Sequence, residues 1–313
     1  MTDAIVVENL VKRYKKATKN AVDGISFRVK EGEFFAFLGP NGAGKTTTIS
    51  ILTTTLAKTS GTISIGGYDI DKDQTKVRES IGVIFQKPSL DENLTAEENI
   101  RFHTILYNVY SYAPSYSMMP QAYKEKVHEL TKLLGIEKEI FQPIKSYSGG
   151  MKRKLEIIRS LMHNPTVLFL DEPTSGLDPV ARKNLWEYLQ HVRNNNNTTI
   201  FLTTHYLDEA EGADRVCIVN NGKIVMLGTP TTIKNKLITD YISVDGKERE
   251  KLENEIIKLK YKFEGHGPFK IYMQKGEIQS CIQKIQTKLS DISIHTPSLE
   301  DAYLEIIKDE THN

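Results

Sequence analysis

The sequence predicts an α/β fold with a parallel-sheet core, an inserted block of helices and a small α+β domain at the end. Three features support this prediction. The continuous apolar runs FFAFL (34–38) and VLFLD (167–171) are typical of strands buried on both faces of a parallel sheet. A helical pattern lies between TVLFLDEP and TTIFLTTH, as expected of a βαβ unit. From about residue 229 the composition shifts to Lys, Glu and Ile, which indicates a separate domain.

Composition excludes several classes of protein. The 313 residues carry 41 Lys and Arg against 40 Asp and Glu, so no bulk positive charge favours nucleic acid as a partner. The two cysteines, Cys217 and Cys281, lie far apart without a metal-binding motif, which favours a reducing cytoplasm. The N-terminus lacks the apolar run of a signal peptide, and no stretch approaches the ~20 apolar residues of a membrane span.

The first part of the chain alternates short strands with turns. AIVVENLVKRY, AVDGISFRVKEGE and GTISIGGYDI have strand patterns, and FFAFLGP predicts a buried strand that enters a loop and a helix. Helical spacing follows in TAEENIRFHTILYNVY and QAYKEKVHELTKLLGI, within a block at about residues 88–163. The stretch Ser111–Pro120 between them predicts a solvent loop, and Asn194–Asn197 predicts the loop after the βαβ helix. DRVCIVNNGKIVMLG predicts a hairpin with an Asn-Gly turn.

The last part, residues 229–313, predicts three strands that alternate with three helices. The strands are DYISVD, PFKIYMQ and ISIHT, and the helices are KEREKLENEIIKLKY, EIQSCIQKIQTKL and SLEDAYLEII.

Residues Gly39 to Thr46 spell GPNGAGKT, a full match to G-x-x-x-x-G-K-[ST] between a predicted strand and a predicted helix. The glycines allow backbone N–H groups to surround phosphate oxygens, and the helix N-terminus adds its positive dipole end. In such a loop Lys45 reaches the β- and γ-phosphates and the Thr46 hydroxyl binds Mg²⁺. The predicted nucleotide-binding residues of this P-loop are Gly39, Pro40, Asn41, Gly42, Ala43, Gly44, Lys45, Thr46 and Thr47.

Two carboxylates end the predicted strand VLFLDE. Asp171 stands where it can hold Mg²⁺ through water. Glu172 follows it, points to the other side and can orient and deprotonate an attacking water. Alone the pair would indicate only a surface turn, but after a P-loop it predicts a hydrolytic site.

Five segments now point to one family. GPNGAGKTT, FQKP, YSGGMKRKLEI, LFLDEPTSGLDP and LTTH occur in this order at suitable separations. The chain resembles the ATP-binding subunit of ABC transporters over about residues 4–228. The resemblance implies a P-loop NTPase cassette with an antiparallel β subdomain and a helical subdomain at about residues 88–163. It also implies ATPase activity and the cofactors ATP and Mg²⁺.

The resemblance also implies roles for single residues. Tyr14 lies where the family has an aromatic ring that stacks on adenine. Gln86 matches the glutamine that senses Mg²⁺ and the attacking water, and His205 matches the histidine that contacts the γ-phosphate. Asp178 lies in the loop that crosses to a partner subunit. The predicted catalytic residues are therefore Glu172, His205 and Gln86, and the predicted metal residues are Thr46, Gln86 and Asp171.

The segment Ser148–Gly150, called here the signature segment, matches a second family motif, usually Leu-Ser-Gly-Gly-Gln. Tyr147 replaces the Leu and Met151 replaces the Gln. In the family, Ser148, Gly149 and Gly150 close over the γ-phosphate of ATP held by a second subunit in a head-to-tail dimer. The physical basis is the same as in the P-loop: an oxygen donor, exposed amides and a helix N-terminus facing an anion.

Within the family, YSGGMKRKLEI and the tail PSLEDAYLEI resemble cytoplasmic ATPases of drug-resistance exporters, the group related to daunorubicin, sodium and nodulation-factor efflux. Ser111–Pro120 makes the helical block longer than expected in that group and lies where the resemblance places a permease contact, so a role in partner choice stands as the alternative to a solvent loop. The implied partners are an integral-membrane permease and a second ATP-binding subunit, with no nucleic acid. The implied location is the cytoplasmic face of the cell membrane.

Three alternatives compete with this interpretation. A non-transport ABC ATPase of translation or DNA repair usually has two cassettes or a cassette split by long coiled coils. A kinase or GTPase would not carry the signature segment and His205. A non-catalytic binding module would not need Glu172, Gln86 and His205 together.

Overall fold

The structure of the chain, a computed structural model, describes residues 2–86, 89–175, 177–237, 241–273, 277–295, 298–301 and 303. It divides into two compact units, Met1–Leu227 and Gly228–Asn313.

An antiparallel sheet opens the first unit. Its strand order is β2-β1-β4-β5, with β1 at Asp3–Lys12, β2 at Val22–Lys30, β4 at Ser60–Ile65 and β5 at Tyr68–Asp69. The side chains of β2 alternate between buried and exposed, as expected of a sheet with one face on the core. Phe27 on this strand packs against Phe35 and Phe37, with ring centroids 5.6 and 5.7 Å apart, and so joins this sheet to the next.

The second sheet is the six-stranded core, in the order β10-β9-β3-β8-β7-β6. Strands β6 to β9 and β3 pair in parallel, and every residue of β3, β7 and β8 is buried. This confirms the predicted parallel-sheet core. The strands are β3 (Phe34–Leu38), β6 (Ile81–Ile84), β7 (Val167–Asp171), β8 (Thr199–Thr204), β9 (Arg215–Asn220) and β10 (Lys223–Gly228).

Helices connect these strands and place the loops at their ends. The helices of the core are α1 (Lys45–Leu52), α2 (Gln74–Ser80), α6 (Pro179–Asn196) and the single turn α7 (Leu207–Ala210). Helix α6 runs through Asn196, so the loop predicted at Asn194–Asn197 is wrong for three of its four residues. Asn197 ends the helix at φ 51°, a left-handed conformation that asparagine tolerates. The hairpin between β9 and β10 turns at Asn221 and Gly222, both at positive φ, as a type I′ turn requires.

The helical block contains α3 (Ala96–Leu106), α4 (Gln121–Leu134) and α5 (Gly149–Leu161). Thr95 and Glu98 form a capping box that starts α3. The stretch Ser111–Pro120 is largely the exposed loop that the sequence predicts, with a single 3-10 turn at Tyr116–Met118, but two of its residues are anchored. Its Ala113 and Met119 are buried, and the Ala113 carbonyl accepts a 2.9 Å hydrogen bond from Arg101. The stretch therefore packs on the block with part of its residues.

The second unit is an α+β domain with the strand order β12-β13-β11-β14. The predicted strands are present, and β12 and α8 were missed. The second predicted helix is shorter than expected: it ends at Lys284, the amides of Gln286 and Thr287 donate to Glu255 instead, and Leu289 already belongs to β14. Half of the last predicted helix, residues 302 and 304–307, lies outside the described residues. The elements are α8 (Pro230–Leu237), β11 (Tyr241–Gly246), α9 (Arg249–Lys258), β12 (Lys262–Glu264), β13 (Phe269–Tyr272), α10 (Ile278–Lys284) and β14 (Leu289–His295).

Candidate functional site

One cavity of about 430 Å³ collects most of the predicted site residues. It lies where the P-loop runs from β3 into the N-terminus of α1. Parallel strands bring their carboxyl ends to one edge of a sheet, and this places the residues after β6, β7 and β8 at the same opening. The lining residues are Ala21, Pro40, Asn41, Gly42, Gly44, Lys45, Thr46, Thr47, Gln86, Glu172, Ser175 and His205.

The P-loop backbone requires glycine for two different reasons. At Gly39 a Cβ would lie 2.4 Å from the Val219 carbonyl oxygen, so no side chain fits. At Gly44 the φ is 101°, a conformation that side chains disfavour. Ala43, also predicted as a nucleotide contact, is buried against the core and does not line the cavity.

Lys45 is 5% exposed. Its ammonium donates hydrogen bonds to the carbonyl oxygens of Gly39 at 2.7 Å and Pro40 at 3.1 Å. Burial lowers the pKa of Lys45, and the charges of Glu172 and Asp171 oppose that shift. Lys45 lines the cavity, so its ammonium can exchange these carbonyl contacts for the oxygens of a bound anion.

Glu172 lies between two of the predicted catalytic side chains. Its Oε2 accepts a 2.9 Å hydrogen bond from Nε2 of Gln86, and its Oε1 lies 3.1 Å from Nδ1 of His205. The residue adopts φ 46°, uncommon for a side chain of this kind and frequent at functional sites. The structure therefore brings together Gln86, Glu172 and His205, which come from three segments of the chain.

Asp171 is buried at the end of β7 and does not line the cavity. Burial raises its pKa, while the Thr203 hydroxyl, which donates to Oδ1 at 2.5 Å, acts in the opposite direction. The sequence does not predict the hydrogen bond from Thr203 to Asp171, because a threonine in an apolar run is also common in a buried strand without any such contact.

Tyr14 lies beside this cavity and not in its lining. It is 46% exposed, and its hydroxyl is 3.3 Å from that of Thr47. A neighbouring cavity of about 630 Å³ shares Ala21 and Gly42 with the first and is lined by Arg13, Lys19 and Asn20 among others. A nucleotide that extends from the P-loop has room there.

The signature segment does not line the P-loop cavity of its own chain. Ser148 is the N-cap of α5, and its Oγ accepts a 3.2 Å hydrogen bond from the Met151 amide. A Cβ at Gly149 would meet no atom within 4 Å. Packing inside the chain therefore does not require a glycine there.

Asp178 also lies outside the cavity lining. Its Oδ1 caps α6 by accepting 2.9 Å hydrogen bonds from the amides of Val180 and Ala181. This local role explains an aspartate at the position without any partner.

Sequence comparison shows what kind of chain carries this site. The family model described as "ABC transporter" matches residues 22–175. The linearmycin resistance ATP-binding protein LnrL of Bacillus subtilis is 38% identical over 75% of this chain and 72% of that protein. The chain belongs to the ABC transporter family. The Nod factor export ATP-binding protein I of Ralstonia nicotianae is 32% identical over 97% of this chain and 94% of its own length.

Other relatives of the ABC transporter family are longer. The probable multidrug ABC transporter ATP-binding protein YbhF of Escherichia coli is 37% identical over 70% of this chain but only 36% of its own length. The chain spans about a third of that relative.

Solved structures of ABC cassettes share the fold. An ATP-binding subunit of an ABC transporter aligns with a TM-score of 0.65 and 29% identity, over 74% of this chain and 92% of its own. The ATP-binding cassette MJ0796, in a dimeric post-hydrolysis state bound to ADP and Pi, aligns with a TM-score of 0.65 and 26% identity, over 72% and 98%. The predicted cassette fold is confirmed, and the chain is an ATP-binding, ATP-hydrolysing domain of this family.

Two further groups of residues support the ABC site and were not predicted. Glu209 on α7 is buried and accepts hydrogen bonds from the hydroxyls of Thr174 and Thr204, which connects the loop after Glu172 to the residue before His205. Arg153 on α5 donates to backbone carbonyls next to Gln86 and Glu172. No motif predicts either contact, because each joins residues distant in sequence.

Proposed function

We propose that the chain is the ATP-hydrolysing subunit of an ABC exporter and acts on a separate integral-membrane permease at the cytoplasmic face of the membrane. The observation that carries the hydrolytic part is the position of Glu172, held by Gln86 and His205 at the cavity that Lys45 shares. The transport part rests on the relatives, which are named for linearmycin resistance, Nod factor export and multidrug transport. In the described residues, no helix is long and apolar enough to cross a bilayer.

In the proposed reaction the P-loop amides and Lys45 hold the β- and γ-phosphates, and Glu172 orients a water for attack on the γ-phosphorus. Glu172 accepts the proton of that water as the new P–O bond forms and the bond to ADP breaks. Gln86 and His205 fix the direction of the Glu172 carboxylate. His205 also lies at the cavity, where it can donate to the γ-phosphate.

The donor set fits Mg²⁺. Thr46, Gln86 and Asp171 offer a hydroxyl, an amide oxygen and a carboxylate, all oxygen ligands of the kind that Mg²⁺ prefers. The amide nitrogen of Gln86 already donates to Glu172, which leaves its oxygen as an acceptor. The raised pKa of buried Asp171 indicates a carboxylate that gains from a nearby cation. When bound, Mg²⁺ neutralises charge on the phosphate oxygens.

We further propose that two such subunits dimerise head to tail with ATP between them. Ser148 and the first amides of α5 would then face the γ-phosphate held by the partner subunit. Two observations support this: the signature segment does not line its own cavity, and Gly149 has open space where a side chain would stand. The dimeric MJ0796 cassette is an assembled relative of the same fold. The base that Tyr14 would stack on needs only a π-face, so base selectivity would be loose.

One experiment separates transport from the non-transport alternative. A tagged chain expressed in its source cells is purified from detergent-solubilised membranes, and its ATPase rate is measured with and without added DNA or ribosomes. We expect a stable complex with one integral-membrane protein and a rate that neither addition changes, with Lys45→Ala as the inactive control. Recovery only from the soluble fraction, together with stimulation by DNA or ribosomes, would overturn the exporter assignment.

A further inference from the structure

Helix α5 carries a buried arginine that reaches out of the helical block. Arg153 is 6% exposed and lies five residues after Ser148. Its Nη1 contacts Oε2 of Glu156 at 3.0 Å, and Glu156 is itself 2% exposed. Burying two charges is costly unless hydrogen bonds compensate both, so the other contacts of this pair decide what it does.

The remaining contacts of Arg153 go to the two segments that carry the hydrolytic side chains. Its Nη1 donates to the carbonyl oxygen of Phe85 at 2.5 Å, and Phe85 directly precedes Gln86. Its Nε donates to the carbonyl oxygen of Pro173 at 2.8 Å, and Pro173 directly follows Glu172. One guanidinium therefore holds the backbone on both sides of the 2.9 Å hydrogen bond between Gln86 and Glu172.

Helix α5 also holds the far end of the segment that contains Gln86. Oε1 of Glu156 accepts a 2.9 Å hydrogen bond from the Ser89 amide. Arg159 donates to the Ser89 carbonyl oxygen at 2.7 Å and to the Ser89 hydroxyl. The helix thus contacts this segment before and after Gln86.

The contacts of Arg153 use two of its three nitrogens, those that face Phe85, Pro173 and Glu156. Its Nη2 is buried and has no hydrogen-bond partner in the described residues, although Nε and Nη1 are both used. An unpaired buried donor costs roughly 1–3 kcal/mol. Only a planar guanidinium presents donors in a fixed fork that can serve two carbonyls at once, so lysine cannot replace it.

We propose that Arg153 is a positioning residue that couples the two ATP sites of the dimer. The signature segment begins the same helix, so the contact of Ser148 with the partner subunit's ATP sets the position of Gln86 and Glu172 in this chain. The site of one subunit then becomes competent only when the other is loaded. The coupling rests on the proposed head-to-tail dimer, and linkage requires that it act in both directions.

The test compares Arg153→Lys with a matched variant of another buried pair. Arg101 contacts Glu97 at 3.0 Å, is 4% exposed and donates to one carbonyl, that of Ala113, inside the helical block. For the full chain, Arg153→Lys and Arg101→Lys are compared by kcat, the Hill coefficient for ATP, the Kd of a fluorescent ATP analogue and Tm. We expect Arg153→Lys to lower kcat by about tenfold or more and the Hill coefficient toward 1, with the Kd unchanged.

Arg101→Lys should lower Tm as much as Arg153→Lys while leaving kcat and the Hill coefficient as in the wild type. Equal kinetic losses in the two variants would show that Arg153 is only a structural residue and would overturn the proposal. A Hill coefficient of 1 in the wild type would also overturn it, because the two sites would then not be coupled. If Arg153→Lys fails to fold, Glu156→Gln, which keeps one acceptor, should lower the Hill coefficient in the same direction, and no change would overturn the coupling. A wild-type chain without ATPase activity would instead refute the proposed function itself.

Discussion

The side-chain amide of Gln86 and the carboxylate of Glu172, 86 positions apart in sequence, form a 2.9 Å hydrogen bond at the mouth of the P-loop cavity. His205 contacts the other carboxylate oxygen. Both oxygens of Glu172 are therefore engaged by neighbours, which fixes the direction in which the carboxylate can receive a proton. Fixed orientation of this kind is what a general base requires before its substrate arrives.

Glu172→Gln tests that role with little change in shape. We expect kcat to fall about 10²–10⁴-fold, because general-base catalysis contributes that much, while the Kd for ATP stays the same. The ATP-bound variant should stall as a closed dimer, visible by size-exclusion chromatography. Glu187→Gln, at an exposed position on α6, is the matched control and should behave as the wild type. Unchanged turnover in Glu172→Gln would remove Glu172 from catalysis.

Substitutions of Ser148 can separate its proposed contact with the partner subunit's ATP from its role as the N-cap of α5. Ser148→Asp keeps a good N-cap acceptor for α5, yet it opposes an incoming γ-phosphate with a negative charge. We expect Ser148→Asp and the bulky Ser148→Arg to bind ATP as monomers with wild-type Kd, because Ser148 does not line its own cavity. Both should lose ATP-induced dimerisation and hydrolysis. Ser146→Asp, two residues earlier and exposed, is the control. If the substitutions raise the Kd of the monomer for ATP as well as abolishing hydrolysis, Ser148 acts in the site of its own chain.

The sequence predicts the core of this fold because its strands are buried on both faces. FFAFL and VLFLD are almost entirely apolar, as expected of strands covered on both faces, so their composition predicts β3 and β7. The same argument fails for the second unit. There β12 is three residues long, and the helical pattern of EIQSCIQKIQTKL continues past Lys284 into residues whose amides donate to Glu255 and into Leu289, which pairs with β11. Sheet pairing is a contact between distant segments and overrides the local pattern.

In the candidate site, too, the residues of local motifs are predicted from the sequence and the contacts between distant segments are not. Motifs predict residues such as Lys45 and Glu172 because their chemistry depends on spacing along the chain. They do not predict Thr203 or Arg153, whose contacts join segments 32 and up to 68 residues apart. The sequence predicts the exposed loop Ser111–Pro120 but not its anchor, the Ala113 carbonyl that accepts a hydrogen bond from buried Arg101.

Thr203→Val tests the support of the proposed metal ligand Asp171. The substitution keeps the shape of the side chain and removes the hydroxyl that donates to Asp171. That hydrogen bond opposes the upward pKa shift caused by burial, so its loss should raise the pKa of Asp171 further. Protonated Asp171 cannot hold Mg²⁺ well. We therefore expect a higher Mg²⁺ concentration for half-maximal ATPase activity, and an acid limb of the pH–rate profile moved to higher pH.

Thr198→Val is the control for Thr203→Val, because Thr198 is also buried but lies directly before the start of β8, at the end away from Asp171. It removes a buried threonine hydroxyl without touching Asp171, so its Mg²⁺ titration should match that of the wild type. An identical Mg²⁺ dependence in Thr203→Val would show that the Thr203 hydroxyl does not support Asp171 as a metal ligand.

His103 should make the folded chain sensitive to acid. It is half-buried in a ring cluster with Tyr107, whose ring centroid is 4.4 Å away, and desolvation first, then Arg159 and His163, lowers its pKa to about 3. The unfolded chain takes up this proton near pH 6.5 and the folded chain does not, so stability falls as pH drops below about 6.5. One such group contributes up to about 1.4 kcal/mol per pH unit.

His103→Phe keeps the ring contact and should flatten the dependence of unfolding free energy on pH between 7 and 5, measured by urea denaturation. His128→Phe, at an exposed position, is the control, and an equal slope in His103→Phe and the wild type would contradict the assignment.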